Sequence, residues 1–66
     1  MILNQSQELP LSIRAIIVGY RLQIKLTFIE ISMKLGITPT TARNLYTRVL
    51  EQSGGVEDLY EMLKHL

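Results

Sequence analysis

Cysteine is absent from the 66 residues of this chain, and histidine occurs only once, at His65. Without cysteine, neither a disulfide framework nor a thiolate metal site can form, and this absence fits an intracellular protein. One histidine without cysteine cannot supply the nitrogen and sulfur ligands of a zinc site. The sequence therefore predicts no metal site, and we expect no cofactor.

Catalytic motifs are missing as well. The four serines lie outside any GxSxG context, and Gly54-Gly55 lacks the lysine and hydroxyl of a phosphate-binding loop. Glu57, Asp58 and Glu61 form an acidic cluster, but acidic residues at the start of a predicted helix favourably complement the helix dipole. We therefore expect that the chain is not an enzyme.

Long hydrophobic runs are also missing. The longest, residues 15–18, contains four apolar residues, whereas a helix that spans a bilayer needs about 20. The first residues, Met-Ile-Leu-Asn-Gln, lack the basic region and the long apolar stretch of a signal peptide. We therefore expect no membrane partner and an intracellular location.

The net charge of +1 conceals an uneven distribution of charge along the chain. Residues 1–48 carry six basic and two acidic side chains, whereas residues 49–66 carry one basic and four acidic side chains. A positive region of this kind can face a polyanion while the acidic part of the chain turns away.

Helix start and stop signals divide the chain into four predicted helices. The first runs from Leu11 to about Lys25, and Gly19 within it indicates a close approach of another helix. Thr27 and Glu30 form a capping box for the second, which ends at Gly36. Thr38-Pro39 starts the third. Ser53-Gly54-Gly55 ends it, and an apolar stripe predicts a fourth helix over about residues 56–66.

Two capped helices joined by a short glycine-containing turn are typical of a helix-turn-helix. The segment TFIEISMKLGITPTTARNLYTRVLE resembles the N-terminal DNA-binding domains of mariner-type transposases and the promoter-reading domains of sigma factors. Ser32 stands where alanine is commoner, and Ala42 where a larger β-branched residue is more usual. We expect one all-α domain over residues 1–66, with a three-helix helix-turn-helix core, the motif itself at about 27–50, and a fourth C-terminal helix.

The resemblance implies duplex DNA as the partner, with the third helix as the recognition helix in the major groove. Such a chain would act as a transcription regulator or transposase and would be found in the nucleus or nucleoid. Arg43 matches the edge of guanine and Asn44 that of adenine, whereas Lys34 and Arg48 are better placed for phosphates. The implied DNA-binding residues are Thr38, Pro39, Thr40, Thr41, Arg43, Asn44, Thr47, Arg48 and Lys34.

The first predicted helix has two apolar faces instead of one. At 100° per residue, the second face falls nearly opposite the first and contains Leu11, Ala15, Val18, Leu22 and Leu26. The fourth helix can cover one face within the chain, or a second copy or a larger parent protein can cover it. The candidate partner interface is the first face, formed by Ile13, Ile16, Ile17, Tyr20 and Ile24.

The alternative function is a protein-interaction or dimerisation module that keeps the helix-turn-helix shape without binding DNA. The small net charge, the acidic C-terminal part and the second apolar face of the first helix favour it.

Overall fold

This computed structural model describes residues 9–66, which contain four α-helices and one π-helical segment. No strand occurs within this range, so the predicted all-α class with a fourth C-terminal helix is confirmed. The elements in chain order are α1 (Leu11–Gly19), the π-helical segment (Tyr20–Ile24), α2 (Phe28–Leu35), α3 (Pro39–Gln52) and α4 (Leu59–Leu63).

Helix α1 is shorter than the predicted first helix because its hydrogen-bond pattern changes after Gly19. The chain continues as the π-helical segment and ends in the left-handed conformation at Lys25, with φ at 63°. The amide of Leu26 closes this end by donating to the carbonyl of Tyr20 over 3.1 Å. The prediction that another helix lies close to Gly19 is wrong, because a Cβ added there would meet nothing within 4 Å.

The two central helices begin as their sequences predict. Thr27 Oγ1 accepts from the amide of Glu30, and a Glu30 carboxylate oxygen accepts from the amide of Thr27, which completes the capping box of α2. Gly36 ends α2 with φ at 72°. Thr38 then caps α3, with Pro39 at its first position. These signals act within one helical turn, so α2 and α3 are joined by a short, sharply defined turn.

Helix α4 begins three residues later than predicted. Asp58 is its N-cap and accepts from the amide of Glu61 over 3.0 Å. Two contacts hold the preceding residues outside the helix: Ser53 Oγ donates to the carbonyl of Val56, and the carboxylate of Glu57 accepts from Tyr46. The acidic residues at the start of α4 therefore have different structural roles, since Asp58 caps the helix and Glu57 contacts α3.

The core lies where α1, α3 and α4 meet, with α2 closing one side. Helix α1 contacts both α3 and α4, so residues from both of its apolar faces are buried within the chain. Met62 is the fully buried contribution of α4. The buried apolar residues are Ile17, Val18, Ile31, Ala42, Leu45, Tyr46, Val49 and Met62.

The five residues proposed as a partner interface on the first helix do not form one exposed surface. Ile17 is fully buried in the core, and Ile13 and Tyr20 are half-buried, whereas Ile16 and Ile24 are exposed. One cause is that Ile17 belongs to the core, which α1 shares with α3 and α4. The other is that the π-helical segment has more residues per turn than an α-helix, so Ile24 loses the alignment that the α-helical spacing predicted.

Arg14 joins the two ends of the described chain. Its Nε donates to the carbonyl of Leu9 over 3.1 Å, and one of its terminal nitrogens donates to the carbonyl of Leu66. The guanidinium has a planar fork of donors, so it can hold both carbonyl groups at once.

Candidate functional site on helix α3

One side of α3 is buried and the other carries polar side chains. Ala42, Leu45 and Val49 face the core together with Tyr46. The opposite side exposes four polar residues over the first two and a half turns of the helix. These are Thr40, Arg43, Asn44 and Thr47. The structure thus places four of the nine predicted DNA-binding residues on one continuous exposed face.

The hydroxyl groups of Thr38 and Thr41 hold the start of α3. Thr38 Oγ1 accepts from the amide of Thr41 over 3.1 Å and forms a second hydrogen bond, of 2.8 Å, with the hydroxyl of Thr41. Thr41 is half-buried, whereas Thr38 and Pro39 are exposed. These two hydroxyls fix the helix end from which the exposed face begins, and they are already engaged with each other.

The two remaining predicted residues differ in exposure. Lys34 lies in the last turn of α2 and is exposed. Arg48 is half-buried on α3 and takes part in an interaction with its surroundings. Lys34 therefore presents its charge to solvent, while Arg48 also belongs to the packing of α3.

An open cleft of about 270 Å³ lies between the starts of α2 and α3. Its lining consists of Phe28, Pro39, Thr40 and Arg43. The cleft thus adjoins the exposed face of α3, and a planar or apolar group could enter it beside the guanidinium of Arg43.

Arg21 supports the wall of this cleft, a role that the sequence did not reveal. Its guanidinium lies 4.7 Å from the centre of the Phe28 ring and donates to the carbonyl of Leu26 over 3.0 Å. The ring of Phe28 contacts that of Tyr46 edge to face, with 5.8 Å between the ring centres. Arg21 is thereby fixed against the protein by a cation–π contact. The basic spacing on the first helix could not indicate this contact, because it depends on where α2 packs.

Tyr46 connects α3 to the segment that leads into α4. Its hydroxyl donates to a carboxylate oxygen of Glu57 over 2.7 Å. Burial of the phenol, followed by this hydrogen bond and the negative charge of Glu57, raises the pKa of Tyr46 from 10.0 to about 12. The phenol therefore stays neutral and donating across the physiological range of pH.

A second cleft of about 270 Å³ adjoins this hydrogen bond and contains charges of both signs. Its lining consists of Arg21, Leu22, Lys25, Tyr46 and Glu57. Arg21 and Glu57 already have partners within the chain, whereas Lys25 is exposed at the edge of the cleft.

Neither cleft contains a metal-ligand set. Among residues 9–66, no group of three or more histidine, cysteine or acidic side chains is placed to hold a metal ion. Within the same range, every helix is too short or too polar to cross a bilayer.

No protein-family model, curated protein or solved structure matches this chain. The functional inference therefore rests on the residues and geometry of the chain itself.

Proposed function

We propose that the chain binds duplex DNA sequence-specifically, with α3 in the major groove, as part of a transcription regulator or a transposase. The observation that carries the proposal is the exposed face of α3, where Arg43 and Asn44 lie between two threonines on a helix with a firmly capped start. Binding DNA would place the protein in the nucleus or nucleoid.

The side chains on this face suit base edges in the major groove. Arg43 can donate two hydrogen bonds to the O6 and N7 atoms of guanine, and Asn44 can pair in a bidentate manner with adenine. The methyl groups of Thr40 and Thr47 can contact thymine methyl groups, and their hydroxyls can reach phosphates. Each contact needs an outward-facing side chain, and all four residues are exposed.

The residues around this face have supporting roles in the proposal. Thr38 and Thr41 position the helix start, and Pro39 lines the cleft beside Arg43. Lys34, together with Arg48 at its half-buried position, would contact backbone phosphates. Glu57, Asp58 and Glu61 lie in or before α4 and outside α3. Glu51 is exposed on α3 one turn after Thr47, so negative charge on this helix lies near its end and away from its capped start.

The experiment that tests the proposal is a titration of the isotope-labelled chain with a mixed-sequence DNA duplex at low salt, followed by backbone amide NMR. We expect shifts concentrated in residues 38–48, with reversal when salt is added, because phosphate contacts release counterions. An unchanged spectrum would refute the proposal. So would an affinity that stays constant between low and physiological salt.

A second candidate is a module that binds another protein and not DNA. It is favoured by the small net charge and by apolar side chains that remain exposed on α2, namely Ile29 and Met33. Reversing the charge of Arg43, which is exposed on α3, would leave such an interaction intact and would abolish DNA binding. Disrupting the first apolar face of the first helix, for example with Ile17→Asp, cannot test this alternative, because Ile17 is fully buried and the substitution would unfold the chain.

A further inference from the structure

One side of α2 exposes two large apolar side chains. Ile29 is 62% exposed and Met33 is 77% exposed. They are four residues apart, so they lie about 40° from each other around the helix and one turn apart along it. The other apolar residues of α2 are Phe28, Ile31 and Leu35, and these pack into or against the core. Ile29 and Met33 therefore form a separate apolar strip beside the face that folding uses.

A pair of opposite charges runs along one edge of this strip. Glu30 and Lys34 each follow one of the apolar residues, and both are exposed. One oxygen of Glu30 accepts from the amide of Thr27, and the described residues contain no hydrogen bond to the other. Lys34 forms no ion pair with any residue in the range 9–66. Both groups can therefore contact an external partner without breaking the contacts that hold α2.

We infer that this strip is the contact surface for a second copy of the chain, with the two α2 helices antiparallel about a two-fold axis. In that arrangement Ile29 meets Met33 of the second copy, and Met33 meets Ile29. The same axis brings Glu30 to within about 3 Å, measured along the helix, of the level of Lys34 of the second copy, which these long side chains can span. A two-fold interface must be complementary to itself, and this sequence of two apolar residues and two opposite charges satisfies that condition.

The charges also decide between the two directions of packing. In a parallel pair the two-fold axis runs along the helices, so the charged edges of the two copies lie on opposite sides of the apolar contact and do not meet. In an antiparallel pair the axis is perpendicular to the helices, so both charged edges lie on the same side and Glu30 of each copy can pair with Lys34 of the other. The pattern on α2 therefore favours a second copy in the antiparallel orientation.

The size of the strip predicts a weak dimer. An eight-residue helix is about 12 Å long, and each copy contributes two apolar side chains. Such a contact is smaller than the roughly 1,000 Å² of a stable interface. We therefore expect monomers at micromolar concentration and measurable dimerisation at millimolar concentration. The association needs no nucleic acid, so it can be tested apart from the proposed function, although both proposals use Lys34.

The test is sedimentation equilibrium of the full chain from micromolar to millimolar concentration, without DNA. We expect the average mass to rise toward twice the monomer mass. The double variant Ile29→Gln, Met33→Gln should stay monomeric over the whole range, because it removes the apolar strip and keeps good helix formers. The matched control is Val56→Gln, Tyr60→Gln, which removes two other exposed apolar side chains and should associate like the parent chain.

A second pair of variants isolates the charges. Lys34→Gln should weaken dimerisation severalfold, whereas Lys64→Gln, the same change at an exposed lysine of the C-terminal part, should not.

A parent chain that stays monomeric at millimolar concentration overturns the inference. It is also overturned if association survives in the Ile29, Met33 variant or is lost in the Val56, Tyr60 variant. A monomer in which deletion of residues 1–8 shifts the amide signals of α2 would instead identify that segment as the occupant of the strip.

Discussion

Gly19 and Gly36 contribute differently to the stability of the fold. Gly19 has ordinary helical angles, and a side chain there would enter open space. Gly36 has φ at 72°, a left-handed conformation that costs other residues energy. The first glycine is therefore replaceable, whereas the second is required by the turn between α2 and α3.

Gly19→Ala should stabilise the fold by about 0.5–1 kcal/mol, because alanine restricts the unfolded chain and favours the helix. Gly36→Ala should destabilise it by about 1–2 kcal/mol. Urea unfolding followed by circular dichroism measures both free energies. Equal effects of the two substitutions would contradict the assignment of the turn to Gly36.

Arg43 provides the sharpest residue-scale test of the proposed DNA contact. Arg43→Gln should weaken binding to a preferred site by about 1–3 kcal/mol and relax the choice of base at one position. Lys64→Gln makes the same change in charge away from α3 and should change affinity little. Fluorescence anisotropy with labelled duplexes measures both affinities, and equal losses would indicate that Arg43 contributes only charge.

At the scale of the elements, the sequence predicted those helix ends and turns that depend on neighbouring residues. The caps formed by Thr27 and Thr38 and the turn at Gly36 lie within a few residues of the ends that they define, so their signals are readable locally. The change to π-helical geometry after Gly19 and the late start of α4 were not predictable. The late start of α4 accompanies packing between distant elements, such as the contact of Glu57 with Tyr46.

The same division holds for the candidate site. The exposed residues of α3 follow from helical spacing once the buried side is identified. The contact of Arg21 with Phe28 joins two elements across a left-handed turn at Lys25. Short-range patterns carry no information about such a contact, so the sequence could not indicate the role of Arg21.

The hydrogen bond from Tyr46 to Glu57 predicts a specific dependence of stability on alkaline pH. The pKa of Tyr46 is about 12 in the folded chain and 10.0 for a free tyrosine. The resulting stabilisation is complete below pH 10 and is lost as pH rises toward 12, because the unfolded phenol ionises first. Tyr46→Phe should remove this part of the pH dependence, which is on the order of 2 kcal/mol.

Thermal unfolding of the parent chain and Tyr46→Phe between neutral pH and pH 12 tests this expectation. Tyr60→Phe is the matched control, since Tyr60 is exposed, and it should keep the alkaline loss of the parent. Parallel curves for the parent and Tyr46→Phe would show that the phenol does not link α3 to α4 as described.

At the scale of the whole molecule, the short helix α4 completes the core. Met62 is fully buried although it belongs to a helix of five residues. A chain of this size has only a small margin of stability. Met62→Ala should therefore cost about 2–5 kcal/mol and bring the domain close to unfolding. Thermal unfolding measures the loss, and a decrease well below 1 kcal/mol would mean that α4 packs only loosely.

The contacts of Arg14 bring the first and last described residues within reach of one side chain. A domain whose ends are neighbours can be inserted into a surface loop of another protein, or circularly permuted, without pulling its helices apart. A chain in which a short linker joins residue 66 to residue 9, opened between Gly54 and Gly55, should therefore keep its helical circular dichroism spectrum. A retained spectrum would show that the packing of the helices, and not the position of the chain termini, determines the fold.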